Sequence, residues 1–194
     1  MQETLKNLAK AFVGESQARN RYAIFGKIAQ KEGFEQIAAI FLETSDQEKE
    51  HAKKLFDALT RLAKTSGETV SEIKIETSVS TDLGNTLENL KTAAAGENHE
   101  HQVMYPEFVK IAEEEGLIEI ANKMKAIAKA EAHHEERYLK LLKEVEAGTV
   151  FKKEQEVSWV CRECGYVHFA KEAPIVCPSC DHAQAFYQIK CENY

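Results

Sequence analysis

A stretch of this chain occurs twice. Shifted by 83 positions, KIAQKEGFEQIA (27–38) superposes on KIAEEEGLIEIA (110–121). At the same offset Tyr22 falls on Tyr105, Glu48 on Glu131 and His51 on His134. Packing needs alone can produce a repeat of apolar residues, but polar residues that repeat with it call for another cause. Two copies of one helical hairpin have a pseudo-two-fold axis between them. A site built on that axis draws equivalent residues from both halves.

Apolar residues at three- and four-residue spacing mark four helical stretches, roughly 3–31, 34–63, 84–114 and 117–146. Gly33 and Gly116 interrupt the pattern where tight helix–helix turns are needed. Pro106 is the only proline within these stretches and is expected to bend the third helix, because it removes a backbone donor. Residues 64–83 differ in kind, being rich in Ser, Thr and β-branched side chains. A helix of about 30 residues is about 45 Å long, and an extended segment of about 20 residues reaches roughly 60–70 Å. The segment can therefore return along the whole bundle and make the second and third helices parallel. An all-α four-helix bundle of two hairpins joined by one long crossover has the ferritin-like topology.

Glu48-Lys49-Glu50-His51 and Glu131-Ala132-His133-His134 both read Glu-x-x-His on expected helices. Three residues apart means one face, so each pair offers a carboxylate and an imidazole to a common point. The first helix supplies Glu15, and the third supplies Glu97 with Glu100, again three apart. One Glu from each of two helices plus Glu-x-x-His from each of the others is the di-iron or di-manganese carboxylate pattern. A lone Glu-x-x-His on a charged helix is usually a solvated face; two copies in register with acidic partners reverse that expectation. Glu15 shifted by 83 falls on Asn98, one residue past Glu97. The repeat slips there, and the simplest reading is a one-residue insertion, a helix bulge, beside the site. Glu100 has no counterpart in the first hairpin and stands as a spare carboxylate.

None of the five cysteines lies in residues 1–160. Cys161-Arg162-Glu163-Cys164 and Cys177-Pro178-Ser179-Cys180 form two knuckles twelve residues apart, and Cys191 is left over without an assigned role. Two CxxC turns close a tetrahedral four-sulfur metal site, and on spacing alone zinc is the expected ion. Trp159, Tyr166, Phe169, Phe186 and Tyr187 are expected to pack around it, with His168 and His182 exposed. The segment is too small to bury an adequate core, so the metal should supply much of its folding energy. The chain divides into a bundle (1–147), a linker (148–157) and a small β-rich metal domain (158–194).

The net charge of −7 argues against nucleic acid or an anionic membrane as partner. No basic leader followed by an apolar stretch opens the chain, and no long apolar run could span a bilayer. A cytoplasmic location is expected.

GESQARNRY (14–22), DQEKEHAKKLF (46–56), AAGENHEHQVMYPEF (94–108) and EAHHEERYL (131–139) resemble the rubrerythrins, in the same order and spacing over essentially the whole chain. CxxCGY and CPxC resemble rubredoxin. The resemblance implies iron (Fe) at both positions: a two-iron carboxylate site and one iron in the four-cysteine site. The bundle ligands fall on Glu15, Glu48, His51, Glu97, Glu100, Glu131 and His134, and the tail ligands on Cys161, Cys164, Cys177 and Cys180. It also implies that Glu100 and His51 exchange as ligands to one iron, and that Tyr22 and Tyr105 lie just outside the ligands. The implied activity is a non-haem peroxidase that reduces hydrogen peroxide to water in oxidative-stress defence. Electrons would come from NAD(P)H through rubredoxin or a separate reductase, in a homodimer or larger assembly. An Fe²⁺-oxidising, iron-binding or storage protein with a structural metal in its tail is the alternative.

Overall fold

The computed structural model describes residues 3–65 and 71–192; residues 66–70 of the expected crossover lie outside them. The first hairpin is α1 (Glu3–Lys31) and α2 (Glu35–Thr65). The second is α3 (Thr86–His99), a π-helical turn (Glu100–Met104), α4 (Tyr105–Glu114) and α5 (Ile118–Ala147). Gly33 (φ +84°) and Gly116 (φ +74°) both take the left-handed conformation that a side chain disfavours. Each is followed by a matching bond, Phe34 N–H to Ala29 O at 2.9 Å and Leu117 N–H to Ala112 O at 2.8 Å. The repeat therefore extends to turn geometry.

The backbone amide of Thr86 donates to Glu32 Oε2 at 2.9 Å, so α3 begins beside the α1–α2 turn. At the opposite end, the amides of Glu3 and Thr4 donate to the carboxylate of Glu115 at 2.8 and 3.2 Å. Both α2 and α3 thus start at the α1–α2 turn and run parallel, with their connection joining opposite ends of the bundle. Ile73 and Ile75 of that connection rest half-buried on the core at the Glu3 end.

Two apolar clusters fill the bundle. One contains Leu5, Leu8, Leu55, Leu59, Tyr105, Phe108 and Met124. The other contains Tyr22, Phe25, Phe41, Leu90 and Tyr138. Glu15, Glu48, Glu97 and Glu131 are fully buried on the same four helices. A buried charge is expensive unless paired or bound to metal, so these positions cannot be mere packing.

The third helix is interrupted rather than ended. Seven residues separate Glu15 from Tyr22, but eight separate Glu97 from Tyr105, and the extra residue is taken up by the π turn. The amide of Tyr105 donates to Glu100 O, five residues back. Pro106 follows in the first turn of α4, where a missing amide is tolerated.

The tail is a three-stranded antiparallel sheet in the order β2-β1-β3: β1 (Lys152–Cys161), β2 (Val167–Glu172) and β3 (Tyr187–Ile189). Residues 152–157, expected within a linker, are already strand. Trp159 is fully buried and its Nε1–H donates to Ala170 O at 3.0 Å. Phe169 does not join this core as expected. It is 64% exposed, because its side chain follows Val167 onto the outer face of β2. His168 and His182 are half-buried rather than exposed. The sheet sits at the α1–α2 turn: Phe151 stacks on Phe34 at 6.1 Å between centroids, and residues 184–189 pack against α2.

Candidate metal centres

The helices bring together all seven acidic and imidazole residues singled out in the bundle. Ligand atoms of Glu15, Glu48, His51 and Glu131 lie within 4.8 Å of one another, as do those of Glu48, Glu97, Glu131 and His134. Glu48 and Glu131 belong to both groups, and each group adds one imidazole and one private carboxylate. Glu100 belongs to neither, yet is buried beside Glu15 and Glu97.

The pseudo-two-fold shows in the tyrosines. Tyr22 donates to Glu97 Oε1 at 2.5 Å, and Tyr105 donates to Glu15 Oε1. Equivalent tyrosines thus hold equivalent carboxylates, each reaching from one hairpin into the other.

Six buried atoms of the cluster make no hydrogen bond: Glu15 Oε2, Glu48 Oε1, Glu97 Oε2, both oxygens of Glu131, and His134 Nδ1. His134 Nδ1 is 2.8 Å from Glu131 Oε2 and 2.9 Å from Glu48 Oε1, without hydrogen-bond geometry to either. His51 Nδ1 is 2.9 Å from Glu48 and 3.0 Å from Glu131. The atoms form two groups that share Glu48 and Glu131. A mixed carboxylate and imidazole donor set fits iron.

Without a cation the cluster must neutralise itself. Burial, with nearby Glu131 and Glu48, lifts Glu15 well above the carboxylate range; burial, with Glu15 and Glu97, does the same to Glu100. Burial pushes Glu97 up to about 7. Burial would raise Glu48 also, but contacts with His134 and His51 outweigh it and hold it down at about 2. Burial opposes charge on His51 and His134, yet the surrounding carboxylates raise both, His134 to about 11.

The sign of the resulting pH dependence follows from proton counting. Glu15, Glu97, Glu100, His51 and His134 all bind protons more tightly folded than unfolded, so metal-free stability falls as pH rises. The loss starts above the ordinary carboxylate value of 4.5 and Glu97 completes its share near 7. Glu48 acts oppositely, with its stabilisation lost only on acidification from 4.5 toward 2. The metal-free bundle is therefore expected to melt at lower temperature at about pH 8 than at about pH 5. Circular dichroism melts in chelator check this, and a midpoint rising over that range would contradict it. Metal reverses the trend, since ligands must be deprotonated to bind it.

Sequence reasoning missed the groups behind the ligands. Gln47 Oε1 lies 3.0 Å from His134 Nε2 and accepts from Arg137 Nη2 at 3.1 Å. His101 Nε2 meets Glu135 at 2.6 Å, and Asn98 donates to the same carboxylate at 2.9 Å. The places where the polar repeat fails were the available signal.

In the tail, Cys161 and Cys180 Sγ are 3.8 Å apart and Cys164 and Cys177 Sγ 3.7 Å apart. These are far beyond a disulfide bond, and match the edge of about 3.8 Å for a sulfur tetrahedron with metal–sulfur bonds of about 2.3 Å. All four sulfurs lie within 4.8 Å of one another. Cys191 is exposed and lies outside that group.

This pairing of sites over one chain agrees with known proteins. The rubrerythrin family model matches residues 6–142, and the rubredoxin-like domain model of rubrerythrin matches 159–188. The chain belongs to the rubrerythrin family. It is 56% identical to a putative rubrerythrin of Methanocaldococcus jannaschii, over 100% of this chain and 96% of that one. It is 49% identical to a rubrerythrin of Porphyromonas gingivalis, over 99% of this chain and 92% of that one. A mixed-valent nigerythrin structure aligns with a TM-score of 0.62 at 28% identity, covering 96% of this chain and 86% of that one. A bacterioferritin of Desulfovibrio desulfuricans aligns with a TM-score of 0.63 at 20% identity, over 75% of this chain and 81% of that one; this shows the ferritin-like fold alone. Rubrerythrin and rubredoxin-like domains bind iron, and both clusters have the donors for it. Among the described residues no helix is long and apolar enough to cross a membrane.

Proposed function

We propose that this rubrerythrin is a non-haem peroxidase that reduces hydrogen peroxide to water, and that its tail relays the electrons. The observation that carries the reading is the sharing of Glu48 and Glu131 between two clusters of three glutamates and one histidine, in a chain that also holds a four-sulfur cluster. Glu15 and His51 would hold one iron and Glu97 and His134 the other, with Glu48 and Glu131 available to both. Cys161, Cys164, Cys177 and Cys180 hold the third.

The reduced iron pair supplies the two electrons that splitting an O–O bond requires. The chain supplies the rest. Tyr22 and Tyr105 fix the free edges of Glu97 and Glu15, so each private carboxylate keeps one oxygen for metal. Glu100, buried beside Glu15 and Glu97, would serve as the alternate ligand to His51. Apolar walls of Phe25, Phe41 and Leu90 on one side and Leu5, Leu55 and Phe108 on the other keep bulk water out.

The tail docks at Phe34, and the path along α2 from Glu35 to Glu48 is about 20 Å. Electron transfer slows steeply with distance, so the reading includes delivery from a partner subunit's four-sulfur site. This favours a homodimer or larger assembly, fed from NAD(P)H through a reductase or rubredoxin.

Rapid mixing of anaerobically reduced protein with peroxide tests the reading. The bundle irons should oxidise with one peroxide consumed per pair. Oxidation no faster than in a Glu97→Ala, Glu131→Ala double variant overturns it.

A further inference from the structure

The two histidines of the bundle are equivalent by the repeat but not by their surroundings. His134 Nε2 faces Gln47 Oε1 at 3.0 Å. Gln47 is in turn gripped by Arg137, whose Nη2 donates to Gln47 at 3.1 Å and to Thr44 Oγ1 at 2.8 Å. The Nη1 of Arg137 donates to Glu43 at 2.8 Å, fixing the guanidinium on α2. With Gln47 Oε1 as acceptor, Nε2 carries the proton and Nδ1 presents a lone pair to the metal side.

The repeat provides an internal control. Positions 83 residues from Glu43, Thr44 and Gln47 are Ala126, Ile127 and Ala130, and the position equivalent to Arg137 is Lys54. No acceptor stands where Gln47 would stand for the other imidazole. Among the described residues His51 contacts carboxylates through Nδ1, and no hydrogen bond to its Nε2 is made. Its side chain is 18% exposed against 3% for His134.

We infer that Gln47, oriented by Arg137, is the positioning residue that locks His134 in place, and that Ala130 leaves His51 without such a lock. This rests on the paired-iron reading above.

The test is titration of the metal-free full chain with Co²⁺, following the carboxylate–imidazole bands separately from the thiolate charge-transfer bands of the tail. Wild type should take two ions into the bundle. Gln47→Ala should weaken one of them by about 10–100-fold and leave the other unchanged, with unaltered metal-free helicity. Gln47→Glu, which keeps an acceptor for Nε2–H, should restore wild-type affinity; a merely structural loss would not be rescued this way. Crystals of the iron protein, oxidised and reduced, give the second readout. His134 should keep one orientation in both oxidation states of wild type and lose it in Gln47→Ala. Wild-type affinity in Gln47→Ala, failed rescue by Gln47→Glu, or an unmoved His134 in Gln47→Ala overturns the clamp. A wild-type bundle holding fewer than two cobalt ions overturns the paired-metal reading, and the clamp with it.

Discussion

A Glu131→Ala protein is expected to leave anaerobic purification with its bundle nearly empty of iron, whereas a Glu97→Ala protein should retain about one iron of the pair. The difference comes from geometry. Glu131 lies in both donor groups, so its removal takes a ligand from each metal, while Glu97 lies in one. Groups behind the ligands already change metal affinity by about 10–100-fold, so loss of a shared ligand should exceed about 100-fold at both positions. Glu48→Ala should match Glu131→Ala, and Glu15→Ala should match Glu97→Ala, because the repeat exchanges these pairs. Metal counting against the tail iron as internal standard reads the result. Two retained bundle irons in Glu131→Ala would rule out a bridging role.

Removing the tail metal should unfold the tail and spare the bundle. Trp159, Ala173, Tyr187 and the thiols Cys161 and Cys177 are the buried hydrophobic residues of that core, too little for independent stability. A structural metal in such a module contributes about 10–16 kcal/mol, so it is folding energy rather than decoration. Trp159 is the only tryptophan and is fully buried, which makes it a clean reporter. In Cys161→Ala, its emission should shift to that of a solvated indole while far-UV helicity stays at the wild-type level. Single-turnover oxidation of the reduced bundle by peroxide should persist in this variant, and steady turnover from an external reductase should collapse. An unshifted emission would mean that the sheet folds without its metal; undiminished turnover would remove the relay role.

The bundle and the clustering of its glutamates and histidines were legible because their signal is periodic. Two Glu-x-x-His pairs at one offset need only helical spacing and a repeat to be recognised. The slip between Glu15 and Glu97 even marked the π turn, since one extra residue in a helix has few places to go. Phe169 was misplaced because strand phase, which decides its face, depends on pairing with Ser158 of β1 rather than on composition. Gln47 and Arg137 escaped notice for a related reason. A polar residue on a helix flank is ordinary until the neighbouring helix places an imidazole nitrogen 3.0 Å away.

The sequence by itself determined the helices, the doubled ligand motif and the four-sulfur site, because each depends on short-range spacing along one chain. The tertiary structure decided what spans chain segments: that Glu48 and Glu131 serve both groups, that each tyrosine holds the opposite hairpin's glutamate, and that Gln47 backs one histidine while the other has no such support. Those are relations between helices, fixed by packing over the crossover, and no local pattern encodes them.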